Sequence, residues 1–110
     1  MAGDAYIAVD PGTANEVLVP IDDKLVVGRE CAGVDERHRL LIRDGSVSRS
    51  HLEIRVDAQQ DRAWAIDTSS NGTLLNGTAM QPAMPVPLRS GDSLTLGAVT
   101  LQFRSSRFLR

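Results

Sequence analysis

The chain is poor in the residues on which several function classes depend. Its one cysteine, Cys31, excludes an internal disulfide and fits a reducing compartment. Two histidines and that cysteine form no close-spaced ligand set, so neither a metal nor another cofactor is expected. Basic charge is not in excess: 12 Lys and Arg against 14 Asp and Glu leave a net charge of −2, which disfavours nucleic acid as the main partner. No apolar run approaches the roughly 20 residues of a membrane-spanning helix, so no membrane insertion is expected. Met1-Ala2-Gly3-Asp4 has neither a basic nor an apolar stretch, so no secretory signal is expected and the expected location is cytoplasmic. Aromatics make up only 4 % of residues, which leaves the core to aliphatic side chains. A capped helical window of period 3.6 is also missing.

What is there reads as strand and turn. At 110 residues the chain has the size of one domain, able to bury a core without staples. Residues 5–9 form an apolar β-run before the turn Asp10-Pro11-Gly12, and residues 16–21 suit an edge strand closing near Pro20. Residues 24–27 are a short β-run stopping at Gly28; residues 30–38 read as a long surface loop, and 40–42 as a brief strand. Beyond the central segment, residues 62–67 form a strand with Trp64 and Ile66 on one side and Ala63, Ala65 and Asp67 on the other. Leu74-Leu75, residues 86–88, 93–96 and 99–103 complete the series, divided by Asn-Gly, Pro and Gly turns. Short strands at this spacing indicate an all-β sandwich or barrel.

The stretch Gly45-Ser46-Val47-Ser48-Arg49-Ser50-His51-Leu52-Glu53-Ile54 organises the rest. A polar loop of serines, an arginine and a histidine becomes an alternating strand. Hydroxyls beside a guanidinium, held between strands, make a receptor for a doubly charged anion. Two further pieces fit around it: Gly28-Arg29 after an apolar run, and Thr68-Ser69-Ser70-Asn71-Gly72-Thr73 downstream.

Taken in order, Gly28-Arg29, Ser48-Arg49-Ser50-His51, Ser70-Asn71-Gly72-Thr73, Asn76-Gly77 and the 91–97 ending resemble a forkhead-associated (FHA) domain. The resemblance covers the chain from about Lys24 to Phe103, with the earlier strands fitting the family's N-terminal edge. It implies an antiparallel β-sandwich of about eleven strands, with recognition loops at one end that bind phosphothreonine in partner proteins. The expected domain is 1–104, with 105–110 a tail or linker. The implied partner is a phosphothreonine-containing protein, a Ser/Thr kinase or its substrate. The arginine- and alanine-rich texture points to a high-GC bacterial source.

Carried onto this sequence, the pattern gives Arg29 the fixed cation, whose forked donors match phosphate and keep their charge. Ser48 donates its hydroxyl, Arg49 its backbone N–H and guanidinium, and Ser70 a second hydroxyl; Asn71 bonds the partner's backbone. Gly28 and Gly72 serve backbone geometry, His51 supports its loop by internal hydrogen bonds, and Asn76 joins the two recognition loops. Asn71-Gly72-Thr73 and Asn76-Gly77-Thr78 also fit the N-glycosylation pattern; without a secretion signal they read as turn chemistry.

Two other readings compete. A sandwich of this kind serves phospho-independent dimerisation or docking within a larger protein, but such a module has no need of the Arg29, Ser48 and Asn71 set. A hydrolase using Ser48 and His51 lacks a carboxylate placed to orient the imidazole and an oxyanion hole. The expectation is therefore a binding module, not an enzyme. Phosphothreonine offers about −1.5 to −2 charges and three acceptors, whereas glutamate offers a single charge. Micromolar binding, about −8 kcal/mol, is expected for a phosphothreonine peptide. The same peptide with glutamate at that position should give no measurable heat in matched calorimetric titrations.

Overall fold

The computed structural model describes residues 5–106. Eleven strands form two packed sheets. The first carries β2 (Val17–Pro20), β1 (Ala5–Val9), β11 (Val99–Ser105), β10 (Ser93–Leu96), β7 (Leu74–Leu75) and β8 (Thr78–Ala79), in that spatial order. The second carries β4 (Arg39–Leu41), β3 (Lys24–Gly28), β5 (Leu52–Asp57), β6 (Arg62–Asp67) and β9 (Val86–Pro87). The architecture is the all-β sandwich that the sequence indicates. Among the described residues no helix is long and apolar enough to cross a membrane.

Period-two alternation decides which face each strand buries. Leu52 and Ile54 of β5, Leu94 and Leu96 of β10, and Leu101 and Phe103 of β11 are fully enclosed. On β6 the inward set is Ala63, Ala65 and Asp67, while Trp64 and Ile66 are only half-buried. The one tryptophan therefore stays out of the centre, and aliphatic side chains with Phe103 fill it. β5 and β6 pair antiparallel from Leu52 opposite Asp67 to Asp57 opposite Arg62, which makes the hairpin turn at 57–62 the end remote from Leu52.

Three features depart from the sequence reading. β3 and β4 run parallel, with Val26 opposite Arg39 and Gly28 opposite Leu41, because residues 29–38 form a crossover and not a hairpin. Within that crossover, Glu36–His38 makes one 3₁₀ turn. After the turn at Asn76-Gly77 the chain forms β8, a second short strand against β7. The parallel crossover has a positional result. The exit of β3, the exit of β4, the start of β5 and the end of β6 all lie at one end of the second sheet. At the C-terminal side, β11 continues through Ser105, which pairs with Ala5, and residues 107–110 of the expected tail lie outside the described residues.

Leu94 is fully enclosed in the shared core. Leu94→Ala should cost about 2–5 kcal/mol, a large part of the about 5–15 kcal/mol typical of a domain, read as a lower urea midpoint with unchanged slope.

Candidate functional site

The loops at that end are built on one buried side chain. His51 has no exposed surface. Its Nδ1 accepts the backbone N–H of Ser48 at 3.0 Å, so Nε2 carries the proton and donates it to the carbonyl of Gly72 at 3.0 Å. The imidazole thus fastens the 42–51 loop to the 68–73 loop. Both ring nitrogens are occupied, and the bond to residue 48 goes to its N–H, not its hydroxyl. His51 therefore does not activate Ser48 as a nucleophile.

Each of the two loops opens with the same device. In Asp44-Gly45-Ser46, Asp44 Oδ1 accepts the N–H of Ser46 at 2.9 Å and its hydroxyl at 2.6 Å. In Asp67-Thr68-Ser69, Asp67 Oδ1 accepts the N–H of Ser69 at 3.0 Å and its hydroxyl at 2.6 Å. These are Asx turns, in which a carboxylate replaces a backbone acceptor two residues upstream. Each serine oxygen then relays onward. Ser46 Oγ accepts the N–H of Ala98 at 2.8 Å, joining the loop to the tip between β10 and β11, and Ser69 Oγ accepts the N–H of Gly72 at 2.7 Å. Asp67, itself buried, also takes the Thr73 hydroxyl at 2.9 Å. The Ser46 hydroxyl, and after it the Ser46 N–H, hold the Asp44 carboxyl below the ordinary aspartate range. Because the folded value is depressed, this turn's stabilisation is present at neutral pH and is lost as the pH falls through that value.

Close approach of backbones completes the frame. A Cβ on Gly28 would collide with the carbonyl of Arg49 and the Cα of Ser50. Only glycine lets the end of β3 lie this near the loop, and the Arg29 N–H then reaches the Ser48 carbonyl at 2.9 Å. Gly97 meets Ser46 in the same way, at a positive φ of 60°.

On this frame the structure brings four of the anticipated residues together. Arg29 is pinned by Nε to the Val47 carbonyl at 3.0 Å, which leaves its terminal nitrogens free of that bond. The hydroxyls of Ser48 and Ser70 lie 3.3 Å apart, and the Ser70 N–H donates to Ser48 Oγ at 3.2 Å. Arg49 is exposed beside them, and its guanidinium shares the Glu30 carboxylate with that of Arg29. Asn71 stands exposed on the rim next to Ser70. It also borders a concavity of about 280 Å³ lined by Gly72, Thr73, Leu74, Thr95 and Gly97. The hydroxyls, guanidiniums and N–H groups gathered at this end form a donor set whose charge and geometry suit a tetrahedral anion.

Asn76 does not join the two recognition loops. Its Nδ2 donates to Asp92 Oδ1 at 3.0 Å and its Oδ1 accepts the Ser93 N–H at 2.9 Å, so it clamps the β7–β8 turn to the start of β10. The reason is its place in the chain: β7 pairs with β10, which carries the turn away from the loop end. The positioning carboxylates Asp44 and Asp67 and the contact residue Glu30 were not singled out from sequence. The repeated Asp-x-Ser pattern was the available signal for the first two.

A family model described as FHA domain matches residues 25–97. An FHA domain-containing protein of Arabidopsis thaliana is 40 % identical over 76 residues, covering 67 % of this chain and 18 % of its own length. The chain thus spans under a fifth of that relative. Among solved structures, the FHA domain of the Chlamydia trachomatis CT664 protein superposes with a TM-score of 0.77 at 19 % identity, covering 92 % of this chain and 96 % of its own. A domain solved in work on phosphothreonine-dependent FHA domain interactions is 32 % identical, with a TM-score of 0.68 and coverage of 91 % and 94 %.

Removing the imidazole strands a backbone donor and a backbone acceptor, each costing about 1–3 kcal/mol if left unpaired in the interior. His51→Ala should therefore destabilise by about 2–6 kcal/mol. Amide exchange should quicken first at Ser48 and across 68–73, before the strands respond; uniform loosening would contradict the bridging role.

Proposed function

The chain belongs to the FHA domain family, and from that premise we propose that it is a phosphothreonine-reading module that recruits a phosphorylated partner. FHA domains are recognition modules, not enzymes. The observation that carries the reading is the convergence of Ser48 Oγ and Ser70 Oγ, 3.3 Å apart, beside an Arg29 whose Nε is already engaged at Val47. Arg29 supplies the permanent charge, the two hydroxyls and the Arg49 N–H fill remaining phosphate acceptors, and Asn71 fixes the direction of the peptide backbone. The concavity beyond Asn71 receives a side chain that flanks the phosphothreonine. Support also comes from the 32 % identical domain whose interactions are phosphothreonine-dependent.

The setting we assign is Ser/Thr kinase signalling in a bacterial cytoplasm, on the grounds of a phosphate-dependent partner, one buried thiol and the composition. The module extends through Ser105, the last residue of β11, one residue past the boundary expected from sequence, and the residues after it are a tail or linker. An enzymatic role is disfavoured by chemistry: His51, the imidazole beside Ser48, is spent on Ser48's own backbone and on Gly72.

Titration with a degenerate phosphothreonine peptide pool should show micromolar binding, of the order of −8 kcal/mol. Arg29→Ala or phosphatase treatment should abolish it. A folded wild-type domain that ignores the pool, yet captures an unphosphorylated partner equally well, would establish the docking alternative instead.

A further inference from the structure

Glu30 lies between two arginines at the mouth of the loops. Glu30 follows Arg29, and its N–H donates to the Arg49 carbonyl at 3.0 Å, with the Cys31 N–H on the same oxygen at 2.9 Å. That pair of bonds draws residue 30 alongside residue 49. As a result one carboxylate oxygen, Glu30 Oε2, stands 3.8 Å from Arg29 Nη1 and 3.6 Å from Arg49 Nε. The Glu30 side chain is half exposed and sits at the mouth of the loops, free of the core.

We propose that Glu30 is a specificity-determining residue: an internal anion that occupies Arg29 and Arg49 in the unliganded domain and must yield them to the incoming phosphate. The inference rests on the phosphate-binding reading of the site. Two guanidiniums drawn to one loop mouth repel each other, and the carboxylate between them relieves that repulsion while the site is empty. An incoming anion inherits two costs. It must break both ion pairs, and it then stands near a displaced but still negative side chain.

The first cost is the same for every anion. It pushes ligands of low intrinsic affinity, such as ordinary Asp- or Glu-containing segments, below useful binding. Only a ligand with further acceptors for Ser48 and Ser70 has enough in reserve. The second cost grows with ligand charge, so Glu30 opposes the second ionisation of the phosphate more than the first. In the wild type it therefore flattens the rise in affinity as a phosphate passes through its second pKa, about 6.

Exposed pairs of this kind contribute about 0.2–1 kcal/mol each, so losing two corresponds to a gain of about 2- to 30-fold in affinity. Glu30→Gln keeps the shape and backbone bonds and should bind the degenerate phosphothreonine pool tighter by a factor in that range. Its affinity should also climb more steeply between pH 5 and 7, roughly the span of the second phosphate ionisation. Asp57→Asn is the control for net charge, because it removes the same charge at the far end of β5 and retains the oxygen that caps Gln59 and Gln60. It should bind like the wild type at every pH. Wild-type binding with Glu30→Gln unchanged or weaker would overturn the role of Glu30 while leaving the phosphate reading intact. A gain matched by Asp57→Asn would overturn it too, by reducing it to net charge. If neither the folded wild type nor Glu30→Gln binds the pool, the phosphate reading falls and this inference with it.

Discussion

The neutral imidazole of His51 holds the functional end of this domain together. Sandwich strands give loops fixed ends but not fixed tips, and a receptor for a tetrahedral anion needs its donors placed to a fraction of an ångström. A side chain with one donor and one acceptor on opposite sides can join two loops at once, provided it is screened from water. His51 satisfies that condition because it is the last residue before β5 and is buried with Leu52 at the top of the core. Its backbone is used as well: the His51 N–H donates to the Val27 carbonyl and its own carbonyl accepts from Thr68. The residue is thereby tied to β3, to the downstream loop and to its own loop.

The remaining order comes from carboxylates, which carry out with side chains what turns elsewhere do with backbone. Asp44 and Asp67 each begin a loop, each fold the chain back on a serine two residues later, and each hand the interaction on through that serine's hydroxyl. Asp67 is buried, and three donors converge on one of its oxygens, as the interior demands of a polar group it encloses. Gly28 and Gly97 then let neighbouring backbones close on these turns. Ser48, Ser70 and Arg29 are in this way set on a scaffold in which, among the described residues, no buried side-chain nitrogen or oxygen lacks a partner.

Much of this was legible in the sequence, for reasons that differ from residue to residue. Strands such as Leu52–Asp57 and Ser93–Leu96 announce themselves because one face is buried and the other wet, which writes a period of two into the chain. β8 leaves no such trace, since Thr78 and Ala79 are both exposed. The parallel pairing of β3 with β4 is a fact about where a crossover goes, and no local pattern encodes direction. For the site, the ordered motifs identified the residues that converge, but the clamp from Asn76 to Asp92 spans a separation that sequence spacing does not reveal. Glu30 was invisible for a related reason. A lone glutamate after Gly28-Arg29 reads as a solvated charge until the backbone bond to Arg49 shows where it must stand.

If a chain of net charge −2 is to capture an anion, as proposed, it cannot depend on its overall field. Attraction at long range is weak or adverse, and beyond about 8 Å salt screens what remains. Recognition must therefore be local, made by a few donors at short range on a prepared surface. That arrangement suits discrimination better than speed, because a diffuse positive field would draw in every acidic segment alike. The frame built on His51, Asp44 and Asp67 limits how much has to be ordered when a ligand arrives. Arg29 is held by its Nε, so in the proposed exchange the side chains left to rearrange at the mouth are the more exposed Arg49 and Glu30. On the proposed reading, rigid loops together with the pairing of Glu30 with Arg29 and Arg49 favour a partner by its phosphate chemistry, and not merely by its charge.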